Sequence, residues 1–137
     1  MNIKTGIDII EVDRIKDNIE KYGNEFLNRI YTEKEIEYCE GKKTVKFQSY
    51  AARFAAKEAV FKALSDFIDN KFKVEWKNIE ILNDENGRPY INLYGNLKEM
   101  IKEKCEFDLS LSHIKDIAIA NVVVKIEKKE NKNGIIW

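Results

Sequence analysis

Several side chains in this sequence sit where a purely structural role is hard to assign. Asp8 lies inside an apolar alternation, on the face it shares with Gly6, Ile10 and Val12, where burying a carboxylate without a partner is costly. Glu58 and Lys62 are four residues apart in a helical stretch, with Arg53 and Lys57 just before them. By itself such an i,i+4 pair is an ordinary helix ion pair worth about 0.3–0.5 kcal/mol. On a helical wheel Glu58 borders the apolar stripe, about 60° from Phe61, and Lys57 falls near the stripe's centre. A lone buried ammonium is costly, so Lys57 must either snorkel to water or meet an anion. Arg53 projects from the other flank, about 140° round from Glu58. If both act, they serve two sites, or one site shared between chains. His113, the only histidine, ends an apolar strand behind Ser110 and Ser112. Paired carboxylates are hard oxygen donors, and they suit Mg2+, which takes one or two carboxylates together with phosphate oxygens and waters. Mn2+ accepts the same donors. Zinc has little to bind here, with one histidine and two scattered cysteines. There is no glycine-rich phosphate loop of dinucleotide or P-loop spacing.

The elements that must position these groups follow from periodicity. Ile3 to Val12 alternates as a strand, with Ile3, Ile7 and Ile9 on the face opposite Asp8. Asp13 to about Glu40 is helical in composition, and Gly23 and the Thr32–Glu35 capping box divide it into two helices. Phe47 to Ile68 has no glycine or proline and reads as the longest helix, with Tyr50, Phe54, Phe61, Leu64 and Ile68 as its core stripe. Strands near Val74–Leu82 and Pro89–Tyr94 flank the Asn86-Gly87 turn. A short helix over Leu97–Lys104 precedes two last strands, Phe107–His113 and Ile117–Ile126, around the turn 114–116. The expectation is an α+β fold, one long helix packed on a mainly antiparallel sheet. Residues 1–127 form the single domain and 128–137 a C-terminal tail, loose or docked through its apolar Ile135-Ile136-Trp137 end.

Composition narrows the function classes. The 137 residues fit one domain, and 24 basic residues balance 24 acidic ones, so nucleic-acid binding has no global electrostatic support. No stretch approaches the ~20 apolar residues of a membrane span. Nor does the N-terminus carry a signal-peptide core. Cys39 and Cys105 are isolated and read as reduced thiols in a reducing compartment. A cytoplasmic protein that binds neither membrane nor nucleic acid is expected.

Four blocks, in order, carry a family resemblance across roughly Ile3 to Lys125. Gly6-Ile7-Asp8-Ile9-Ile10-Glu11-Val12-Asp13-Arg14-Ile15 resembles the N-terminal signature of holo-acyl-carrier-protein synthases. Arg53-Phe54-Ala55-Ala56-Lys57-Glu58-Ala59-Val60-Phe61-Lys62-Ala63 is similar, without a gap, to that family's central signature. Asn86-Gly87-Arg88-Pro89 and Leu109-Ser110-Leu111-Ser112-His113 match two further blocks.

The resemblance implies a magnesium-dependent enzyme that moves 4′-phosphopantetheine from coenzyme A to a serine of apo acyl carrier protein, releasing adenosine 3′,5′-bisphosphate. It implies that Asp8 and Glu58 hold the metal and that Lys62 meets the pyrophosphate. Arg53 and His113 match positions at the adenosine phosphate end, with Lys57 and Ser112 counted as further coenzyme A contacts. Gly87 and Pro89 match the turn that lines the adenine, and Arg14 and Arg29 match arginines that meet the acidic carrier. Short members resemble homotrimers with coenzyme A between subunits, which answers the opposed directions of Arg53 and Glu58. The helix after Arg14 carries Asp17, Glu20 and Glu25 and is less basic than in many relatives. Alternatives are another magnesium-dependent phosphotransferase and a non-catalytic carrier-binding relative.

Overall fold

A computed structural model of the chain describes residues 2–68, 74–101 and 104–127. The expected tail, residues 128–137, lies outside the described residues. The element order is β1 (Ile3–Glu11), α1 (Val12–Tyr22), α2 (Asn24–Ile30), α3 (Glu33–Glu40), α4 (Lys46–Ala63), β2 (Ile79–Asn83), β3 (Pro89–Leu93), α5 (Gly95–Met100), β4 (Lys104–His113) and β5 (Ile117–Glu127). One antiparallel sheet runs β1-β5-β4, and β2 and β3 form a separate hairpin. The fold is α+β, as expected.

Boundaries moved where local signals were read too coarsely. The region before α4 holds three helices rather than two, because both breaks operate. Gly23 stops α1 with φ 57°, a conformation glycine adopts without steric cost. Thr32 then caps α3 through the reciprocal box with Glu35. The strand expected from Val74 begins only at Ile79, since Trp76–Asn78 form a 3-10 turn. The short helix is Gly95–Met100 instead of Leu97–Lys104, and Lys104 already belongs to β4.

The long helix corrects the expected core stripe. The residues that seat α4 on the sheet are alanines: Ala55, Ala56, Ala59 and Ala63 are buried in one cluster with Ala120, Val122 and Val124 of β5. Small side chains let backbones approach closely, and Gly6 of β1 takes this furthest. A Cβ at Gly6 would lie 1.9 Å from the Ala59 carbonyl oxygen. The aromatic residues of the expected stripe occupy other sides of the same helix. Tyr50 joins a second core with Phe26, Ile30 and Tyr31 of the α1–α3 layer. Phe54 and Phe61, only partly buried, pack on Trp76. Leu64 of the expected stripe is buried in the alanine cluster, and Phe61 and Ile68 pack against it, so the buried surface of this helix is broader than the expected stripe.

On the outer face of the three-stranded sheet Ile3, Ile7, Ile9 and Val123 are exposed, beside polar positions of β4 and β5 such as Ser110 and Asn121. Cys39 and Cys105 are not joined in a disulfide. Cys39 is buried beside Ser49, and burial pushes its thiol up to about 11.

Candidate active site

Strand β1 and helix α4 bring the expected carboxylates together. Alternation along β1 turns Asp8, like Gly6, toward α4. There the Lys62 ammonium donates to Asp8 Oδ1 at 3.1 Å and to the Ile7 carbonyl at 2.8 Å. Glu58, one turn before Lys62, is half-buried. Its carboxyl is held above the usual range by burial first and by the Asp8 charge second, with Lys62 opposing both. A carboxyl whose proton affinity is raised by a neighbouring carboxylate could hold a cation, because a divalent ion relieves the repulsion that a proton otherwise relieves. Among the described residues no third histidine, cysteine or carboxylate joins them. That donor set fits magnesium, which relies on few protein ligands and on substrate oxygens.

The pair opens onto a cavity of about 410 Å³. Asp8 and Glu58 lie on its wall, with Phe54 and Trp76 beside them, and Arg14 and Arg29 at its rim. Five of the expected site residues (Asp8, Glu58, Lys62, Arg14 and Arg29) therefore share one region.

A second region assembles on the other flank of α4. Arg53 is 3% exposed, and its guanidinium lies 4.0 Å over the Tyr38 ring. It donates to Ser49 Oγ at 3.2 Å and to the side-chain oxygen of Asn83, while its Nε has no hydrogen-bond partner. Asn83 in turn donates to the Gly87 carbonyl at 2.9 Å and pairs across the hairpin with Pro89. Arg53, Gly87 and Pro89 thus meet through Asn83. Next to them Lys34, Lys42, Tyr38 and Tyr90 line a groove of about 490 Å³. Ser112 and His113 are exposed at the end of β4 and line neither cavity.

Lys57 does not belong with the coenzyme A contacts. It is fully buried, and its ammonium donates to Glu35 Oε1 at 2.7 Å, to the Ile79 carbonyl at 2.5 Å and to the Trp76 carbonyl at 3.2 Å. With three donors and three acceptors inside the protein, none is left for a ligand. The anion it meets is Glu35, and burial still pulls its pKa below the ordinary value despite that carboxylate. Glu35 also accepts from the backbone N–H of Thr32 and of Ile81.

A sequence model of the 4′-phosphopantetheinyl transferase superfamily matches residues 4–122, a span that holds both regions. The chain belongs to this superfamily. The phosphopantetheinyl transferase relatives it resembles include the holo-[acyl-carrier-protein] synthase of Ruminiclostridium cellulolyticum, 46% identical over 92% of this chain and 94% of the relative. The holo-(acyl-carrier-protein) synthase of Bacillus anthracis, solved in complex with CoA (3',5'-ADP), is 35% identical with a TM-score of 0.72, over 90% of this chain and 96% of that one. The synthase–CoA complex from Chronobacterium ammoniagenes, at 24% identity, shares the fold, with a TM-score of 0.80 over 93% of this chain and 99% of that one.

Within this transferase chain, sequence reasoning missed Trp76, Asn83 and Tyr38. Each reaches its site from an element distant in sequence, and no local pattern marks it. Glu35 was legible only as half of a capping box, because its bond to Lys57 spans 22 residues.

Proposed function

We propose that this chain transfers the 4′-phosphopantetheine group of coenzyme A to a serine of apo acyl carrier protein, with magnesium, releasing adenosine 3′,5′-bisphosphate. The observation that carries the reading is the Asp8–Glu58–Lys62 cluster at the wall of a cavity rimmed by Arg14 and Arg29. Asp8 and Glu58 would hold the metal, which would supply positive charge to the pyrophosphate oxygens. Lys62, already seated on Asp8, adds a positive charge on the same side. Glu58, counted as a metal ligand, would orient a water that takes the serine proton. Arg14 and Arg29, exposed at the rim, suit the acidic surface of a carrier and would hold its serine over the cavity.

The adenosine end is assigned to Arg53, Gly87 and Pro89, with Ser112 and His113, and these come from a neighbouring subunit of a homotrimer. Two features support that arrangement. The groove lined by Tyr38, Asn83 and Tyr90 beside Arg53 shares no lining residue with the carboxylate cavity, and the outer sheet face leaves Ile3, Ile7, Ile9 and Val123 uncovered, as a subunit interface requires. No helix among the described residues is long and apolar enough to cross a membrane, which suits work in the cytoplasm on a diffusing carrier.

The test is direct. Purified protein is mixed with apo acyl carrier protein, coenzyme A and Mg2+, and the carrier is weighed by mass spectrometry. A gain of one phosphopantetheine unit, lost without metal and lost with Glu58→Ala, is the expected result. No gain with several apo carriers would overturn the reading.

A further inference from the structure

The buried Lys57–Glu35 pair sits directly beside the carboxylate cavity, yet its chemistry faces inward. Lys57 precedes Glu58 in α4, and one of its three bonds goes to the Trp76 carbonyl. The Trp76 ring stacks on Phe54 with centroids 4.8 Å apart and meets Phe61 edge-on at 5.5 Å. Phe54 and Phe61 stand four residues before and three residues after Glu58, the spacings that share one helix side. Trp76 therefore lies across the same side of α4 as Glu58 and forms part of the cavity wall beside it. Its segment is held besides by the Glu75–Asn78 box, by the Asn78 carbonyl accepting from the Tyr94 N–H at 2.8 Å, and by packing of Trp76 against the second core.

We propose that Lys57 is a positioning residue for the transfer reaction, acting through the Trp76 carbonyl to hold the indole against Phe54 and Phe61 and so to fix the cavity wall beside Glu58. This rests on the transferase reading given above. Glu35 completes the device. It accepts from Lys57, from Thr32 and from Ile81, so the pin ties α3, α4, β2 and the Trp76 turn into one rigid frame. A fully satisfied buried polar network of this kind fixes geometry to a degree that apolar contacts alone do not.

The test uses a Trp137→Phe background, which leaves Trp76 as the sole indole. Replacing Lys57→Met together with Glu35→Gln removes the pin without stranding a buried charge. The expected result is a Trp76 emission more open to acrylamide quenching. With it, kcat falls by about 10-fold or more and KM for coenzyme A stays within about 2-fold, as a displaced wall demands. Trp76→Leu lowers kcat to a similar degree, Trp76→Phe restores most of it, and joining Trp76→Leu to the pin replacement costs little more, because both act through one ring. A raised KM for coenzyme A with quenching unchanged would make Lys57 a ligand and overturn the proposal. Unchanged kcat in the folded paired variant would make the pair merely structural and overturn it equally. If the background protein itself transfers nothing, the transferase reading fails, and the quenching result alone decides whether Lys57 holds Trp76.

Discussion

Helix α4 carries two lysine–carboxylate pairs five residues apart, and they have opposite fates. Lys57 and Glu35 have side chains wholly hidden from solvent, with their atoms 2.7 Å apart. Lys62 and Asp8 are 3.1 Å apart, with the lysine side chain 54% and the aspartate 17% exposed. Five residues turn a helix by about 140°, so neighbouring motif positions point at different worlds. The buried pair has every donor and acceptor used inside the protein, and its role is geometric. An exposed pair such as Lys62–Asp8 contributes only about 0–1 kcal/mol to stability, so its value lies in what it offers a ligand. One continuous sequence block thus encodes a frame and a reactive surface, and stability measurements should separate them.

The largest effect is expected from breaking the buried pair on one side. Lys57→Met alone leaves the buried Glu35 carboxylate without its counter-charge, a loss of about 3–5 kcal/mol, to be read from urea unfolding of the single variant. Adding Glu35→Gln should recover much of it, since replacing both members removes the stranded charge. A single variant as stable as the parent would erase the distinction drawn between the two pairs.

A smaller effect tests what brings the exposed group to its partners. Gly6 lets β1 lie so close to α4 that an added Cβ meets the Ala59 carbonyl oxygen at 1.9 Å. Gly6→Ala must push the strand off the helix, at about 1–3 kcal/mol of overpacking, and must carry Asp8, two residues on, away from Glu58 and Lys62. The expected result is a lowered Tm together with reduced transfer and a weaker response to magnesium. Loss of stability with full activity would mean that the carboxylate site tolerates movement of its strand.

This contrast also explains what the sequence made legible. Asp8 stood out because strand alternation placed a carboxylate on an inward face, and Glu58 with Lys62 because helical spacing joined them; both signals are local. The β1 strand, the Thr32–Glu35 box and the β2–β3 turn were legible for the same reason. Lys57 was placed on a buried stripe, which is right, but its partner is 22 residues away, and composition does not choose between an internal carboxylate and a bound phosphate. The alanine face of α4 escaped notice because close backbone approach, set by Gly6, decides it more than side-chain size does. Trp76 escaped because only tertiary packing carries it to Phe54 and Phe61.

The smallest effect is the sharpest, since its sign is opposite at the adjacent residue. Burial and the Asp8 charge raise the Glu58 pKa above its ordinary 4.5. The folded state therefore binds that proton more tightly than the unfolded chain does, and an ionised Glu58 lowers stability once the pH is above its folded-state pKa. The cost disappears as pH falls below the ordinary value, where both states are protonated. Glu58→Gln should thus raise stability at pH 7 by about 1 kcal/mol or less, because solvent screens a half-exposed group, and the gain should fade in acid. Thermal unfolding between pH 4 and 8 reads it. Magnesium should raise the Tm of the parent and leave that of Glu58→Gln nearly unmoved, because only the parent offers the ion both carboxylates. A variant destabilised at neutral pH would place Glu58 in the frame with Lys57 and leave α4 without a reactive side.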